Sequence, residues 1–359
     1  MIVKIRDVVN RVNNNVDRFT TDIKYYLGKG HGECGELAIT EHGDLKKDVG
    51  LLGFKFHFAF KPGDSLFFSR SFALRKAGIA TYEGLCSDST YILRSKDNNV
   101  LLPEYLPVVI QSELFWDYCN THHTGGVNFL INWNTLADYE FDLPSIEEQR
   151  ILADKLWAAY RLKESYKKLL VATQEMVKSQ FIEMFAFQDL SLTNPSDDFG
   201  KKCYDDTSSA TKVPAGDYQN KGRYAIYDQS QDCDIAGYTD SIEGVCNNYP
   251  AVLFGDHSRV IKYINQPFYI GADGVKIIRP KEDDLLPEFL YYDLLYHNIP
   301  NTGYNRHFKY VKMFKLTEVS IDEQKEFLKI AHQADKSKFE LRESIKSIDK
   351  VIKSLINII

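Results

Sequence analysis

The chain has 359 residues, of which 44% are hydrophobic and 26% are charged, with 44 lysines and arginines against 50 aspartates and glutamates. This composition excludes a disordered chain, a collagen and a disulfide-dense mini-scaffold, and the length predicts two or three folding units. No apolar stretch approaches the roughly 18 residues of a membrane span, and the first residues lack a signal-peptide pattern. The six cysteines form no CxxC pair, so we expect a reduced, cytoplasmic protein that binds no membrane.

Two segments of similar composition are each followed by a long helical pattern. In residues 1–144, β-branched and aromatic runs at 54–60, 65–68 and 90–93 predict strands, and 103–118 predicts a helix. In residues 186–318, the runs at 251–254, 260–264 and 274–278 predict strands, and 287–295 predicts a helix. Residues 189–206 hold five aspartates and predict a polar connector between the two segments.

Two short motifs occur twice, in the same order. Leu-Leu-Pro-Glu-Tyr-Leu at 101–106 returns as Leu-Leu-Pro-Glu-Phe-Leu 184 positions later. Ser-Ile-Glu-Glu-Gln at 145–149 returns as Ser-Ile-Asp-Glu-Gln 175 positions later. The second motif begins each long helical pattern, and the spacing of Ser145 to Glu148, repeated by Ser320 and Glu323, is that of a capping box. The chain is therefore predicted to be an internal duplication.

Each long helical pattern carries a series of residues at alternating spacings of four and three. Such a heptad pattern predicts helices that pack along their length. A single lysine interrupts each series, Lys163 in the first and Lys338 in the second, and a polar residue in a seam restricts register and choice of partner. The residues predicted to form the seam of the helix pair are Leu152, Leu156, Lys163, Tyr166, Leu170, Val177, Phe327, Ala331, Lys338, Leu341, Ile345 and Ile352.

These patterns predict an α+β fold in which two mixed α/β globules follow in tandem and are separated by two long antiparallel heptad helices. The predicted segments are globule 1–144, helix 145–185, globule 186–318 with its polar connector at 186–213, and helix 319–359. The alternative is that each helix packs only on its own globule. Pairing is favoured because neither helix has a core of its own.

The sequence contains no recognisable catalytic or cofactor-binding motif. It lacks the G-x-x-x-x-G-K-[ST] phosphate loop and a G-x-G-x-x-G turn between strand and helix. The stretch 194–197 lacks the second proline and the aromatic residue of an amino-methyltransferase motif, and Asp197 and Asp198 lie in the polar connector. His122 and His123 have no third ligand at metal-site spacing, and no nucleophile accompanies Asp256 and His257. No catalytic residue, metal or cofactor is therefore expected in this chain.

Two stretches combine basic and aromatic residues. Residues 294–317 contain no acidic residue, and in residues 50–80 Asp64 is the only one. Lysine and arginine neutralise phosphates, and arginine and asparagine read base edges; the alternative is a solvated basic face with aromatic residues in the core. The candidate DNA-binding residues are Lys55, His57, Arg70, Arg75, Lys76 and Asn128 in the first globule, and His257, Arg259, Lys262, Tyr304, Asn305, Arg306, His307, Lys309 and Lys312 in the second.

In these motifs the chain resembles the specificity subunit of type I restriction-modification systems. The resemblance rests on residues 143–149 leading into the helix at 151–185 and on a weaker second copy in which Val319 replaces Pro144. Shorter stretches add to it at 61–70, 237–240, 271–274 and 303–309. The resemblance implies two target-recognition domains, each reading half of a split sequence in double-stranded DNA, and two antiparallel helices that hold them apart.

The resemblance also implies partners. Two methyltransferase subunits would dock on the helices and motor-nuclease subunits would join them, with S-adenosylmethionine, ATP and Mg²⁺ bound by these partners. The main alternative is a non-catalytic coiled-coil scaffold for protein interactions, which would show no DNA sequence preference. A self-contained enzyme with an unrecognised site is a third interpretation, which binding of S-adenosylmethionine or metal by the isolated chain would support.

Overall fold

The chain folds into two compact units, and the computed structural model describes residues 1–70, 74–126, 129–187, 196–271 and 274–358. Unit 1 comprises Met1–Lys168 and Leu341–Ile359, and unit 2 comprises Leu169–Glu340. Each of the two long helices contributes one part to each unit. The boundaries of the four segments predicted from the sequence remain a prediction.

Unit 1 consists of short strands and helices that precede the first long helix. In chain order they are β1 (Ile2–Lys4), α1 (Ile5–Val8), β2 (Val9–Val12), β3 (Tyr25–Leu27), β4 (Ala38–Ile39), β5 (Gly43–Asp44), α2 (Leu45–Asp48), β6 (Phe56–Phe60), β7 (Ser65–Phe68), β8 (Ala77–Ala80), β9 (Gly84–Ser87), β10 (Thr90–Ser95), α3 (Leu106–Gln111), α4 (Glu113–His122), α5 (Trp133–Ala137), β11 (Glu140–Asp142) and the start of α6 (Ile146–Phe185). The strands form three sheets, in the orders β1-β11, β2-β10-β7-β8-β4 and β5-β3-β9-β6.

Unit 2 continues from the end of α6 and has the same mixture of elements. In chain order they are α7 (Asp198–Lys202), β12 (Cys203–Asp205), β13 (Lys212–Val213), β14 (Tyr224–Tyr227), β15 (Gly237–Thr239), β16 (Ala251–Gly255), β17 (Ile261–Ile264), β18 (Phe268–Gly271), β19 (Val275–Pro280), α8 (Pro287–Tyr296), α9 (Phe308–Val311) and the start of α10 (Ile321–Ile356). The strands form two sheets, in the orders β12-β19-β16-β17 and β13-β18-β14-β15.

The two units repeat one sheet. The order β2-β10-β7-β8 in unit 1 corresponds strand for strand to β12-β19-β16-β17 in unit 2, and every neighbouring pair is antiparallel. The strands β8 and β17 begin 184 positions apart, which is also the offset of the first repeated motif. The duplication seen in the sequence is therefore also a duplication of sheet topology.

The predicted capping boxes are present at the start of both long helices. At α6, the Glu148 carboxylate accepts from the Ser145 amide at 2.9 Å and from its hydroxyl at 2.7 Å, and the Glu148 amide donates to the Ser145 hydroxyl at 3.3 Å. At α10, Ser320 and Glu323 make the same three bonds at the same distances. These hydrogen bonds satisfy amides that a helix start leaves without partners.

The long helices share the core of each unit. In unit 1, Leu156 from the first part of α6 and Ile352 from the last part of α10 belong to one buried cluster. In unit 2, Phe181 from the last part of α6 and Phe327 from the first part of α10 do the same, with ring centroids 5.1 Å apart. This pairing of early with late helix residues is the one expected for antiparallel helices. All residues of the predicted seam are buried or half-buried.

Two sequence-based predictions of local structure were wrong. Within the predicted connector, Asp198–Lys202 form α7 and Cys203–Asp205 form β12, because Phe199 and Cys203 enter the buried core of unit 2. The helix predicted at 103–118 is two helices, α3 and α4. Ser112 separates them because its backbone is extended, and its side chain caps α4 by accepting from the Phe115 amide.

Candidate nucleic-acid interface

In unit 2, two loops that are far apart in the sequence meet at Asp256, which follows β16 directly. The Asp256 carboxylate accepts from the Phe308 amide at 2.7 Å, and its carbonyl accepts from the His307 amide at 2.8 Å. Asp256 is 3% exposed, so this contact is a buried anchor between the loops 256–260 and 301–307. One oxygen of the carboxylate therefore holds the backbone of the second loop.

Aromatic rings join the same two loops on the surface. The rings of His257 and Tyr304 stack with centroids 4.5 Å apart and planes 7° apart, and Tyr304 is 87% exposed. The neighbouring Asn305 and Arg306 are also exposed, and the Asn305 amide donates to the Thr302 carbonyl within its own loop. An exposed aromatic ring stacked on an imidazole, in a loop that also carries an exposed arginine, is suited to contact with bases.

Lysines extend this surface along α9. Lys309 and Lys312 are exposed, and their ammonium groups lie 5.0 Å and 5.1 Å from the ring centroids of Tyr310 and Phe308. Within the described residues, no carboxylate forms an ion pair with Arg306, Lys309 or Lys312. These charges therefore remain available to phosphate groups.

Two candidates in unit 2 are buried and cannot contact DNA. Lys262 is 5% exposed; its ammonium donates to the carbonyls of Cys233 and Asp234 at 2.7 and 3.1 Å, and burial lowers its pKa. The His307 ring is fully buried, with Nδ1 2.9 Å from the Asp256 carbonyl. Both predictions were wrong because residue type and local charge do not show which side chains face inward.

Unit 1 contains the same contact between two loops, with fewer free charges. Arg70 lies two residues after β7; it is exposed and forms an isolated bridge with Leu130, and the Ile131 amide donates to the Ser69 carbonyl at 3.0 Å. Lys55 pairs with Asp88 at 2.8 Å, and the Lys76 ammonium donates to the Lys29 carbonyl at 3.1 Å. His57 is half-buried, with Nδ1 3.3 Å from the Phe54 carbonyl, and Asn128 lies outside the described residues. Arg70 is therefore the most available of the described candidates in this unit.

Two arginines brace these loops at equivalent positions. Arg75 and Arg259 lie 184 positions apart, each two residues before β8 or β17, and both have left-handed backbones, with φ of 48° and 64°. Arg75 pairs with Glu113 at 2.8 Å, and Arg259 donates to the Ile299 carbonyl at 3.1 Å. Residues other than glycine rarely adopt this backbone conformation. Both arginines are therefore bonded within the chain, and their contact with DNA stays a prediction.

Two solved structures resemble the chain over nearly its whole length. One is the S subunit of a type I restriction-modification system from M. genitalium, with 13% sequence identity and a TM-score of 0.56, covering 99% of this chain and 94% of that one. The other is a chain from a structure that describes complex assembly and conformational transition of the type I R-M system, with 16% identity and a TM-score of 0.50, covering 99% and 96%. The chain has an S-subunit fold. No protein-family model and no curated protein sequence matches it.

This surface depends on a residue, Gln229, that sequence reasoning missed. The Gln229 side chain accepts from the His257 amide at 3.1 Å, and a Cβ atom at Gly274 would lie 2.7 Å from the Gln229 amide nitrogen and 2.9 Å from the His257 ring. Gly274 has φ of 85°, so glycine is required here by both space and backbone. The sequence offered two signals for this position, the glycine at the start of the predicted strand 274–278 and the stretch 271–274 in the family resemblance.

The described part of the S-subunit fold shows neither a metal site nor a membrane helix. No three His, Cys, Asp or Glu side chains among these residues are grouped to hold a metal ion. Likewise, none of the helices formed by these residues combines the length and apolar character needed to cross a membrane. His122 and His123 instead contact the rings of Tyr118 and Phe129, with centroids 4.1 and 4.4 Å apart.

Proposed function

We propose that this chain is the DNA-recognition subunit of a type I restriction-modification complex. The observation that carries the proposal is that each unit contains two loops joined by a main-chain contact, in a chain with an S-subunit fold. In unit 2 the loop pair presents Tyr304 and Arg306 beside unpaired lysines, which suits base contact next to phosphate contact. In unit 1 the corresponding loop presents Arg70.

The finer parts of the proposal concern the site and the partners. Each unit reads one half of a two-part site in double-stranded DNA, and the helices α6 and α10 determine the gap between the halves. Two methyltransferase subunits dock on these helices and supply S-adenosylmethionine and adenine methylation. Motor-nuclease subunits supply ATP- and Mg²⁺-dependent translocation and cleavage. The chain itself performs no catalysis in this scheme.

The test is to produce the chain with its methyltransferase subunit and to map methylated adenines across a genome. We expect a two-part motif. Arg306→Ala should relax one half of the motif and cost about 1–3 kcal/mol of discrimination there, because arginine is the side chain best matched to a guanine edge. Arg70→Ala should affect the other half only.

In each variant, the half of the motif that is read by the unchanged unit is an internal control, since that half should stay the same. Lys312→Ala provides a second control, because loss of a phosphate contact should weaken binding to all sequences equally. Methylation without sequence preference would support the scaffold alternative. A change in both halves caused by Arg306→Ala would contradict the assignment of one half to each unit.

A further inference from the structure

A third loop of unit 2 lies against the loop 256–260. It comprises residues 228–235, which follow β14 directly. The Gln229 side chain accepts from the His257 amide at 3.1 Å, and the Lys262 ammonium donates to two main-chain carbonyls near the end of the third loop. The third loop is therefore held near both of its ends, beside the exposed stack of aromatic rings.

Gln231 lies in the middle of the third loop and is exposed. Its side-chain nitrogen donates to the carbonyl of Ser258 at 2.8 Å, and Ser258 is the neighbour of His257 in the aromatic stack. Within the part of the chain that the structure describes, the Gln231 side chain makes no other hydrogen bond. One N–H donor and the carbonyl acceptor of this amide therefore remain free.

The two free groups of Gln231 match the edge of one base. In the major groove, adenine presents N7 as an acceptor and its N6 amino group as a donor, and a glutamine amide can bind both at once. The bond to Ser258 holds the amide in place before DNA arrives, so less side-chain freedom is lost on binding. The Gln231 amide is therefore better suited to adenine than to any other base.

The charge of the third loop favours contact with bases over contact with the DNA backbone. Asp232 and Asp234 are exposed on it, and the negative phosphates of DNA repel carboxylates. A carboxylate can instead accept from the amino group of cytosine in the major groove. The exposed Lys309 and Lys312 of α9 are suited to phosphates, so the two kinds of contact fall on different elements.

We propose that Gln231 is a base-reading residue of unit 2, which binds N6 and N7 of an adenine in the major groove of the half-site that this unit reads. The third loop then belongs to the recognition surface, together with the loops that carry His257 and Arg306. The inference rests on the proposed function, since it assumes that double-stranded DNA occupies this surface. The alternative is a purely structural Gln231, which only braces the loop at Ser258.

Maps of methylated adenines, made with the methyltransferase subunit present, test the proposal. The half-site of unit 2 is the half that Arg306→Ala relaxes. We expect Gln231→Ala to relax one further adenine position in that half, with discrimination there falling about tenfold or more, and to leave the other half unchanged. An unchanged motif would show that Gln231 contacts no base, and equal relaxation of the whole half would show a structural brace. Either result would overturn the proposal.

Gln266 is the matched control for this variant. It is also exposed, and its side-chain nitrogen also donates one bond at 2.8 Å, to the Tyr227 hydroxyl, but it follows β17 whereas Ser258 precedes that strand. Gln266→Ala should therefore keep the wild-type motif. Gln231→Arg tests the proposal even where the alanine variant does not fold. It keeps a donor for Ser258 and loses the acceptor, so the preference at the same position should change from adenine to guanine. An unchanged preference for adenine would contradict the proposal.

DNA with a single atom changed separates base contact from loop structure. Once the motif is known, 7-deazaadenine replaces each adenine of the half-site in turn, which removes N7 and keeps the base pair. We expect one replacement to weaken binding by the wild-type complex about tenfold and to have no further effect on the Gln231→Ala complex. Equal losses for both complexes at every position would overturn the proposal and leave the proposed function standing. If the wild type yields no two-part motif, both fall.

Discussion

At the residue scale, two buried glutamines explain why the chain carries two repeated motifs. The Gln149 side chain accepts from the Leu102 amide at 3.0 Å and donates to the carbonyls of Val100 and Pro144 at 2.9 and 3.0 Å. Gln324 makes the corresponding three bonds, to Leu286 at 2.8 Å, Asp284 at 2.8 Å and Val319 at 3.1 Å. Each glutamine therefore connects the Leu-Leu-Pro-Glu motif to the start of a long helix. The two repeated motifs occur together because they form the two sides of this contact.

We predict that Gln149→Ala and Gln324→Ala destabilise the protein by similar amounts. Both glutamines are essentially unexposed, so alanine would leave a backbone amide and carbonyl groups without partners. The expected cost is about 2–3 kcal/mol in the free energy of unfolding for each variant, measured by urea denaturation. Lys325→Ala, at the exposed position after Gln324, should change it by less than about 0.5 kcal/mol. A glutamine variant as stable as this control would show that the contact is not structural.

At the element scale, the two lysines in the helix seam have different partners. Lys163 binds Glu36 and Asp349, each at 2.9 Å, while the equivalent Lys338 pairs with Asp335 of its own helix. In unit 1 the seam lysine therefore connects α6 to α10 and to the segment before β4. In unit 1 the segment continues into β4, which pairs with β8, whereas no strand in the described part of unit 2 pairs with the outer side of β17.

Glu36 makes this connection dependent on pH. Burial raises its pKa, but hydrogen bonds and charge from Lys163 and Lys167 outweigh burial, so the pKa is lowered. A carboxylate with a lowered folded-state pKa contributes stability that is fully present above its unfolded pKa and is lost as the pH falls through the folded value. We predict that the stability difference between the wild type and Glu36→Gln is fully present near pH 7, begins to shrink as the pH falls below the ordinary glutamate pKa of about 4.3, and disappears only below the lowered folded-state pKa. Urea denaturation as a function of pH measures it.

The neighbouring Glu33 supplies the matched control for this prediction. Its side chain is exposed, so Glu33→Gln should leave the free energy of unfolding nearly constant across the same pH range. If the Glu36→Gln difference were independent of pH, the stabilising contact would have to be something other than the charge of this carboxylate.

At the scale of the whole molecule, the proposed function gives a role to both the duplication and the long helices. The helix α6 has 40 residues, which at 1.5 Å per residue gives about 60 Å. The proposed function assigns the helices the role of determining the gap between two half-sites, and two sites one DNA turn apart are separated by about 34 Å. A change in helix length should then change the gap and nothing else.

We predict that inserting four residues after the exposed Ala172 alters the preferred gap between the half-sites and leaves both half-sequences unchanged. Four residues add about one turn, or about 6 Å, to α6. The measurement is the map of methylated adenines for the insertion variant beside the wild type, with Ala172→Gln as a control that keeps the helix length. An altered half-sequence would contradict the assignment of separate roles to helices and units.

Features that are local or periodic could be predicted from the sequence alone. The capping boxes, the heptad seams, the duplication and three strands in each unit were found in this way, because spacing along the chain directly encodes them. The family resemblance, found from the same motifs, predicted the fold that the solved S-subunit structures share.

Which of the predicted residues are available depends on the tertiary structure. Lys262 and His307 are buried, Lys55 and Arg75 are held in ion pairs, and among the described residues β8 has a strand on its outer side and β17 has none. Each of these outcomes depends on a contact between residues that are far apart in the chain. The sequence records which groups are present, but burial and pairing arise only when distant segments pack together.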